Sequence, residues 1–110
     1  MKLLITANNE DINGEVEERF GRAPWFIVYD SESGTFTPHD NSENSDRSHA
    51  AGVGSATKAA DLGVEAVLTG NIGPKAAEGL NVAGIEAYSA SGLSIKEAVE
   101  KYINGELRKL

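Results

Sequence analysis

Residues 65–77, EAVLTGNIGPKAA, decide the fold. Glu65 to Thr69 is a short apolar run, the length of a buried strand rather than of a helix. Gly70-Asn71-Ile72-Gly73 then makes a turn. Pro74 suits the first position of a helix, where its missing N–H would have had no partner. A strand that passes through a glycine turn directly into a helix is half of a parallel crossover unit. The stretch also has chemical meaning. Glycines at the carboxyl end of a parallel strand let a ligand approach the backbone, and the helix start presents free N–H groups and a partial positive charge. Lys75 adds a full positive charge in the first turn, where the helix dipole alone favours an acid. A tight strand-to-helix turn without a ligand looks the same, so the motif by itself leaves both readings open.

Outward from this unit the alternation continues. The helix starting at Pro74 runs to about Ala83, and Gly84 breaks it. Ile85 to Tyr88 is a further strand. Ser94 to Glu97, SIKE, is a capping box that opens a helix with Ile95, Ala98, Val99 and Tyr102 on one face, closed by Gly105. Before the unit, Ala50 to Leu62 is an Ala-rich helix with Val53, Ala56 and Ala60 on one face and Gly63 after its end. The first third has a different texture. Lys2 to Thr6 and Trp25 to Tyr29 read as strands, and Thr35 to Thr37 as a short third one after the turn signal DSESG. Asn9 to Glu18 is a polar loop. Short connections join antiparallel neighbours. The expectation is an α/β fold over one domain, residues 1–110. Its mixed five-stranded sheet has strands 1–3 as an antiparallel meander and strands 4 and 5 parallel to strand 1. Strand 1 is central and helices flank the sheet, the arrangement of ribonuclease H-like domains. Pro38 to His49 is the most polar segment. It offers little apolar area to offset an ordering cost of roughly 1–2 kcal/mol per residue, so a mobile loop is expected there.

Composition narrows the function. The chain has 110 residues, a net charge of −7 and no cysteine. A field of that sign repels phosphate backbones, so nucleic acid is not an expected partner. Disulfides, thiolate nucleophiles and thiolate metal ligands are all excluded. A metal would have to use His, carboxylate or amide ligands, or arrive as a preformed cluster. No apolar run reaches the ~20 residues that span a bilayer, and MKLLITANN reads as a first strand rather than a signal peptide, so the expected compartment is the cytoplasm.

Two further segments could carry chemistry. Arg19-Phe20-Gly21-Arg22 places two cations and an aromatic around a glycine just before Pro24. Ser48-His49-Ala50-Ala51-Gly52-Val53-Gly54 sets an imidazole before small residues that leave room for a bulky partner. Neutral imidazole can ligate a metal, and protonated imidazole can pair an anion. A loop entering a strand and an exposed loop histidine are the plain alternatives, and His39 has a weaker claim than His49. Enzyme templates fit poorly. Ribonuclease H-type hydrolysis needs convergent carboxylates around two Mg²⁺ ions, and strand 1 supplies none. No nucleophile-elbow motif is present.

Taken in order, Phe20-Gly21-Arg22-Ala23-Pro24-Trp25-Phe26, His49-Ala50-Ala51-Gly52, LTGNIGPKAAEGL, AGIEAY and SIKEAVEKYINGEL resemble the dinitrogenase iron–molybdenum cofactor biosynthesis family. Its members include the NifX and NafY cofactor-binding proteins, the C-terminal domain of NifB proteins and small stand-alone relatives. The resemblance covers nearly the whole chain. It implies a ribonuclease H-like fold and non-catalytic binding or carriage of an iron–molybdenum or other iron–sulfur or molybdenum-containing cluster. That cluster is not held by cysteine, and purified protein need not retain it. The implied cofactor-binding residues are Asn8, Phe20, Gly21, Arg22, His49, Gly52, Gly70, Asn71, Ile72, Gly73 and Lys75, with His49 as metal ligand. The implied partners are cluster donor and acceptor proteins, with neither nucleic acid nor membrane involved, and the chain is expected to be monomeric. The family often carries His just before Phe-Gly, and here Arg19 stands there. The competing readings are a small regulatory or interaction module that keeps the fold without a cluster, and a ribonuclease H-type hydrolase.

Overall fold

Leu3, Leu4, Ile5, Thr6 and Ala7 are all buried, with no alternation along the strand, so the first strand must be covered on both faces. The computed structural model describes residues 1–47 and 50–110 and shows how. The elements are β1 (Lys2–Ala7), a single 3₁₀ turn (Phe20–Arg22), β2 (Trp25–Asp30), β3 (Thr35–Asp40) and the one-turn α1 (Ser42–Ser45). The chain continues through α2 (Ala51–Asp61), β4 (Ala66–Thr69), α3 (Pro74–Val82), β5 (Glu86–Ser89) and α4 (Ile95–Ile103). They form a five-stranded sheet of order β3-β2-β1-β4-β5. β1 pairs antiparallel with β2 and parallel with β4, β2 pairs antiparallel with β3, and β4 pairs parallel with β5. The expected mixed sheet with a central first strand is thus the observed one.

Leu4 and Val67 face a core shared with Phe20, Phe26, Ala56, Ala59 and Leu80, under α2 and α3. Leu3, Ile5 and Leu68 face the other way, onto Ile95, Ala98 and Val99 of α4. α4 starts with the expected capping box: Glu97 N–H donates to Ser94 Oγ (3.1 Å) and Ser94 N–H donates to Glu97 Oε1 (3.0 Å). None of the described helices is long and apolar enough to cross a membrane.

Two expectations are corrected. First, most of the segment expected to be a mobile loop is regular. β3 continues through Pro38, His39 and Asp40, paired with Ile27, Phe26 and Trp25. Pro38 is tolerated because β3 is an edge strand, where a missing N–H donor need not break a ladder. The chain then turns on Asn41, whose side chain is fully buried. Its amide donates to the Ala23 carbonyl (2.9 Å) and to Ser55 Oγ (3.0 Å), and its oxygen accepts from Asn44 Nδ2 (2.9 Å). Hydrogen bonds, not apolar area, order this segment as far as Arg47, and composition does not register them. Ser48 and His49 lie outside the described residues.

Second, α2 buries Ala51, Ser55, Ala56 and Ala59, while Val53 is 44% exposed and Ala60 is exposed. The reason is the approach of α3. A Cβ on Gly79 would stand 3.2 Å from the Cβ of Ala56, so these helices meet through their smallest residues. Val53 is too large for that interface and is turned out.

Replacing Asn41 with Ala should leave the Ala23 carbonyl and Ser55 without their partner and cost about 2–3 kcal/mol in a denaturant titration. Amide exchange over residues 39–45 should be slow in the parent and fast in that variant. Burial, reinforced by the positive charge of Lys58, holds the His39 imidazole below its ordinary pKa. A depressed folded-state value means that His39 supports the fold fully above the ordinary imidazole pKa. That support is lost as the pH falls through the lowered one. A proton NMR titration of the ring should place its midpoint below that of a model imidazole.

Candidate functional site

The 3₁₀ turn, α2 and α3 meet at one point because the residues there are small. A Cβ on Gly21 would stand 2.9 Å from Gly52 N and 3.0 Å from Gly52 Cα. A Cβ on Gly52 would stand 3.1 Å from the Cβ of Ala76. Only glycine at 21 lets the turn lie against the backbone of α2, and small residues at 52 and 76 let α2 lie against the start of α3. Between these elements opens a groove of about 440 Å³. Among the described residues, its charged lining residues are Arg22 and Lys75, and no acid lines it. Val53, Pro74 and Ala76 add apolar surface.

Both helices begin at this groove. Among the described residues, neither α2 nor α3 has a side-chain cap or an acid in its first turn, in contrast to α4. In α3 the first helical bond runs from Ala77 N–H to the Gly73 carbonyl (2.9 Å), and the N–H groups of Lys75 and Ala76 have no partner among the described residues. The residue before α2, Ala50, sits in the left-handed region at φ 60° and lines the groove. Alanine pays roughly 1–2 kcal/mol for that conformation. Such strain gathers at sites where the surroundings over-determine the backbone. Gly73 has an ordinary φ, and a Cβ there would meet nothing within 4 Å, so neither the backbone nor packing demands glycine at this position.

The structure brings together five of the sequence-predicted residues: Gly21, Arg22, Gly52, Gly73 and Lys75 all line the groove. Phe20 does not. It is 1% exposed and stacks on Phe26 at 5.5 Å between ring centres, so it belongs to the core beneath the turn and forms no wall of the site. Asn71 and Ile72 line a different hollow, of about 530 Å³, with Leu80, Ile85 and Lys109. The backbone of Asn71 nevertheless ties the two halves of the site, since Phe20 N–H donates to its carbonyl at 3.0 Å. Gly70 serves packing: a Cβ there would run into Glu18, whose carboxylate accepts from Ser91 Oγ (2.7 Å) and Gly92 N–H (3.3 Å). Asn8 is exposed in the turn after β1 and reaches neither hollow. His49, the proposed metal ligand, lies outside the described residues.

Sequence reading missed what holds Arg22. Its Nη1 donates to the carbonyl of Ser45 (3.0 Å) and to that of Arg47. These acceptors are main-chain groups more than twenty residues away, so no side-chain motif could have marked them. Among the described residues, no three His, Cys, Asp or Glu side chains are placed to hold a metal ion. The groove offers N–H donors, positive charge and apolar contact.

Residues 1–105 match the family model described as dinitrogenase iron-molybdenum cofactor. An uncharacterized protein of Methanocaldococcus jannaschii is 34% identical over 99 residues, 88% of this chain and 84% of its own. Among solved structures, the apo form of the orange protein from Desulfovibrio gigas is 34% identical. It superposes with a TM-score of 0.95, over 99% of this chain and 92% of that one. A Thermotoga protein assigned as a NifB protein is 31% identical with a TM-score of 0.87, over 99% and 92%. The chain belongs to the dinitrogenase iron–molybdenum cofactor family.

Gly21→Ala should force a methyl group against the Gly52 backbone and destabilise the protein by about 1–3 kcal/mol, as overpacking does. Gly73→Ala should change stability by less than about 1 kcal/mol, since its Cβ has open space. Parallel urea titrations of the two variants check the contrast.

Proposed function

We propose that this member of the dinitrogenase iron–molybdenum cofactor family is a non-catalytic carrier. It holds an anionic iron–sulfur or molybdenum-containing cluster in the groove between the starts of α2 and α3, and passes it from a donor protein to an acceptor. The observation that carries the reading is a reversal of sign. On a chain of net charge −7, the groove gathers Arg22, Lys75 and two helix starts, with no side-chain cap and no acidic lining residue among the described residues. Solubility does not require that arrangement, whereas anion binding does.

The donor set suits a cluster that brings its own sulfides. Sulfide-rich anions spread their charge over large, soft surfaces, which N–H groups, a guanidinium and apolar side chains can line together. A chain without cysteine forms no thiolate–metal bonds. Release then requires no metal–protein bond of that kind to break, which fits carriage better than permanent storage.

Lys75 is the clean test, because it is exposed and none of the described carboxylates pairs with it. Tetrathiomolybdate, a coloured sulfide dianion, serves as the probe in an oxygen-free absorption titration. The parent should bind it with an affinity that falls as salt rises. Lys75→Gln should bind about five- to tenfold more weakly, the loss of one charge-assisted contact, with little change in melting temperature. If the parent binds no such anion, or if the variant binds as well with the same salt dependence, the carrier reading fails and an interaction module takes its place.

A further inference from the structure

We infer that Arg22 is a positioning residue that couples occupancy of the groove to the order of the segment Asn41–Arg47. The inference rests on the reading of the groove as an anion site. Arg22 lines the groove, yet its Nη1 already serves two acceptors outside it, the carbonyls of Ser45 and Arg47. The guanidinium is a rigid fork of five N–H donors, so the nitrogens not used on these carbonyls remain for a ligand. Nε and Nη2 have no acceptor among the described residues.

The segment is held firmly at its beginning and lightly at its end. Asn41 is buried, and its N–H donates to the Pro24 carbonyl (2.7 Å). α1 is a single turn, closed by Ser45 N–H on the Asn41 carbonyl (3.0 Å), Asp46 N–H on the Ser42 carbonyl (3.0 Å) and Arg47 N–H on the Asn44 carbonyl (3.2 Å). Among the described side chains, Arg22 is the one that reaches the carbonyls of Ser45 and Arg47 from elsewhere in the chain. The segment in turn fixes the guanidinium plane at the groove. Holding that plane in place lowers the ordering cost of binding an anion. Linkage is reciprocal: an anion that gains from a fixed Arg22 stabilises the segment that fixes it, by the same free energy. Lysine cannot replace it. An ammonium on a flexible stem keeps the charge but does not hold two carbonyls and a ligand in one plane.

Amide hydrogen exchange of Ser45, Asp46 and Arg47, read by NMR with and without saturating tetrathiomolybdate, tests the coupling in the parent, Arg22→Lys and Lys75→Gln. In the parent, the probe should slow exchange at these amides about five- to tenfold. In Arg22→Lys, exchange should be faster without probe, and saturating probe should not slow it. Lys75→Gln should need more probe but show the parent's slowing once saturated. Binding to the parent without slowing, or slowing that survives in Arg22→Lys, overturns the coupling alone. Absence of binding to the parent overturns the carrier reading and the coupling with it. Unchanged exchange in probe-free Arg22→Lys overturns the hold on the segment whatever the probe does.

Discussion

The contact of Gly21 with the backbone of Gly52 is the constraint on which the site depends. A Cβ at position 21 would lie 2.9 Å from Gly52 N, a distance that side chains do not tolerate. Because the side chain is absent, the turn after the long polar loop seats directly on the first turn of α2. Because Gly52 and Ala76 are also small, the first turn of α3 seats beside it. Two helix starts that would otherwise be held apart by side chains therefore open on one groove. The N–H groups of α3 that have no partner among the described residues and the positive ends of both helix dipoles add there. The same economy of volume explains the helix interface above, where Gly79 faces Ala56.

Electrostatics then follows from placement. Lys75 in the first turn of α3 opposes the helix dipole and would cost a little stability on its own. Set across from Arg22 in a groove with no acid among its described lining residues, it becomes part of a positive pocket on an acidic protein. Such a pocket attracts anions locally while the net charge keeps the rest of the surface repulsive to them. Arg22 differs from Lys75 in kind. Its planar fork is anchored on two carbonyls, so it links the groove to the polar segment after β3. The orange protein from Desulfovibrio gigas shares this fold over nearly its whole length, with about a third of its residues identical.

What the sequence by itself determined is the sheet and its connections. β4 and the turn into α3 are legible because strand length, glycine and proline act within a few residues of one another. The antiparallel meander and the parallel crossovers follow from connection lengths, and the capping box of α4 spans four residues, Ser94 to Glu97. The glycine turn and the Phe-Gly-Arg segment also stood out as site candidates, since glycines beside cations are a local signal. Tertiary structure decided the rest, because it depends on groups far apart in the chain. Asn41 orders a segment that composition reads as loose, through Ala23 and Ser55, 18 and 14 residues away. Val53 turns outward because α3 comes too close to α2 for anything larger than alanine or glycine at their contact. Phe20 leaves the site for the core because Phe26 lies beneath it. Arg22 is anchored by main-chain carbonyls, which every residue carries and no motif can mark. Local rules set which elements form; which side chains face one groove depends on how closely the backbones approach, and that is fixed only when the whole chain is packed.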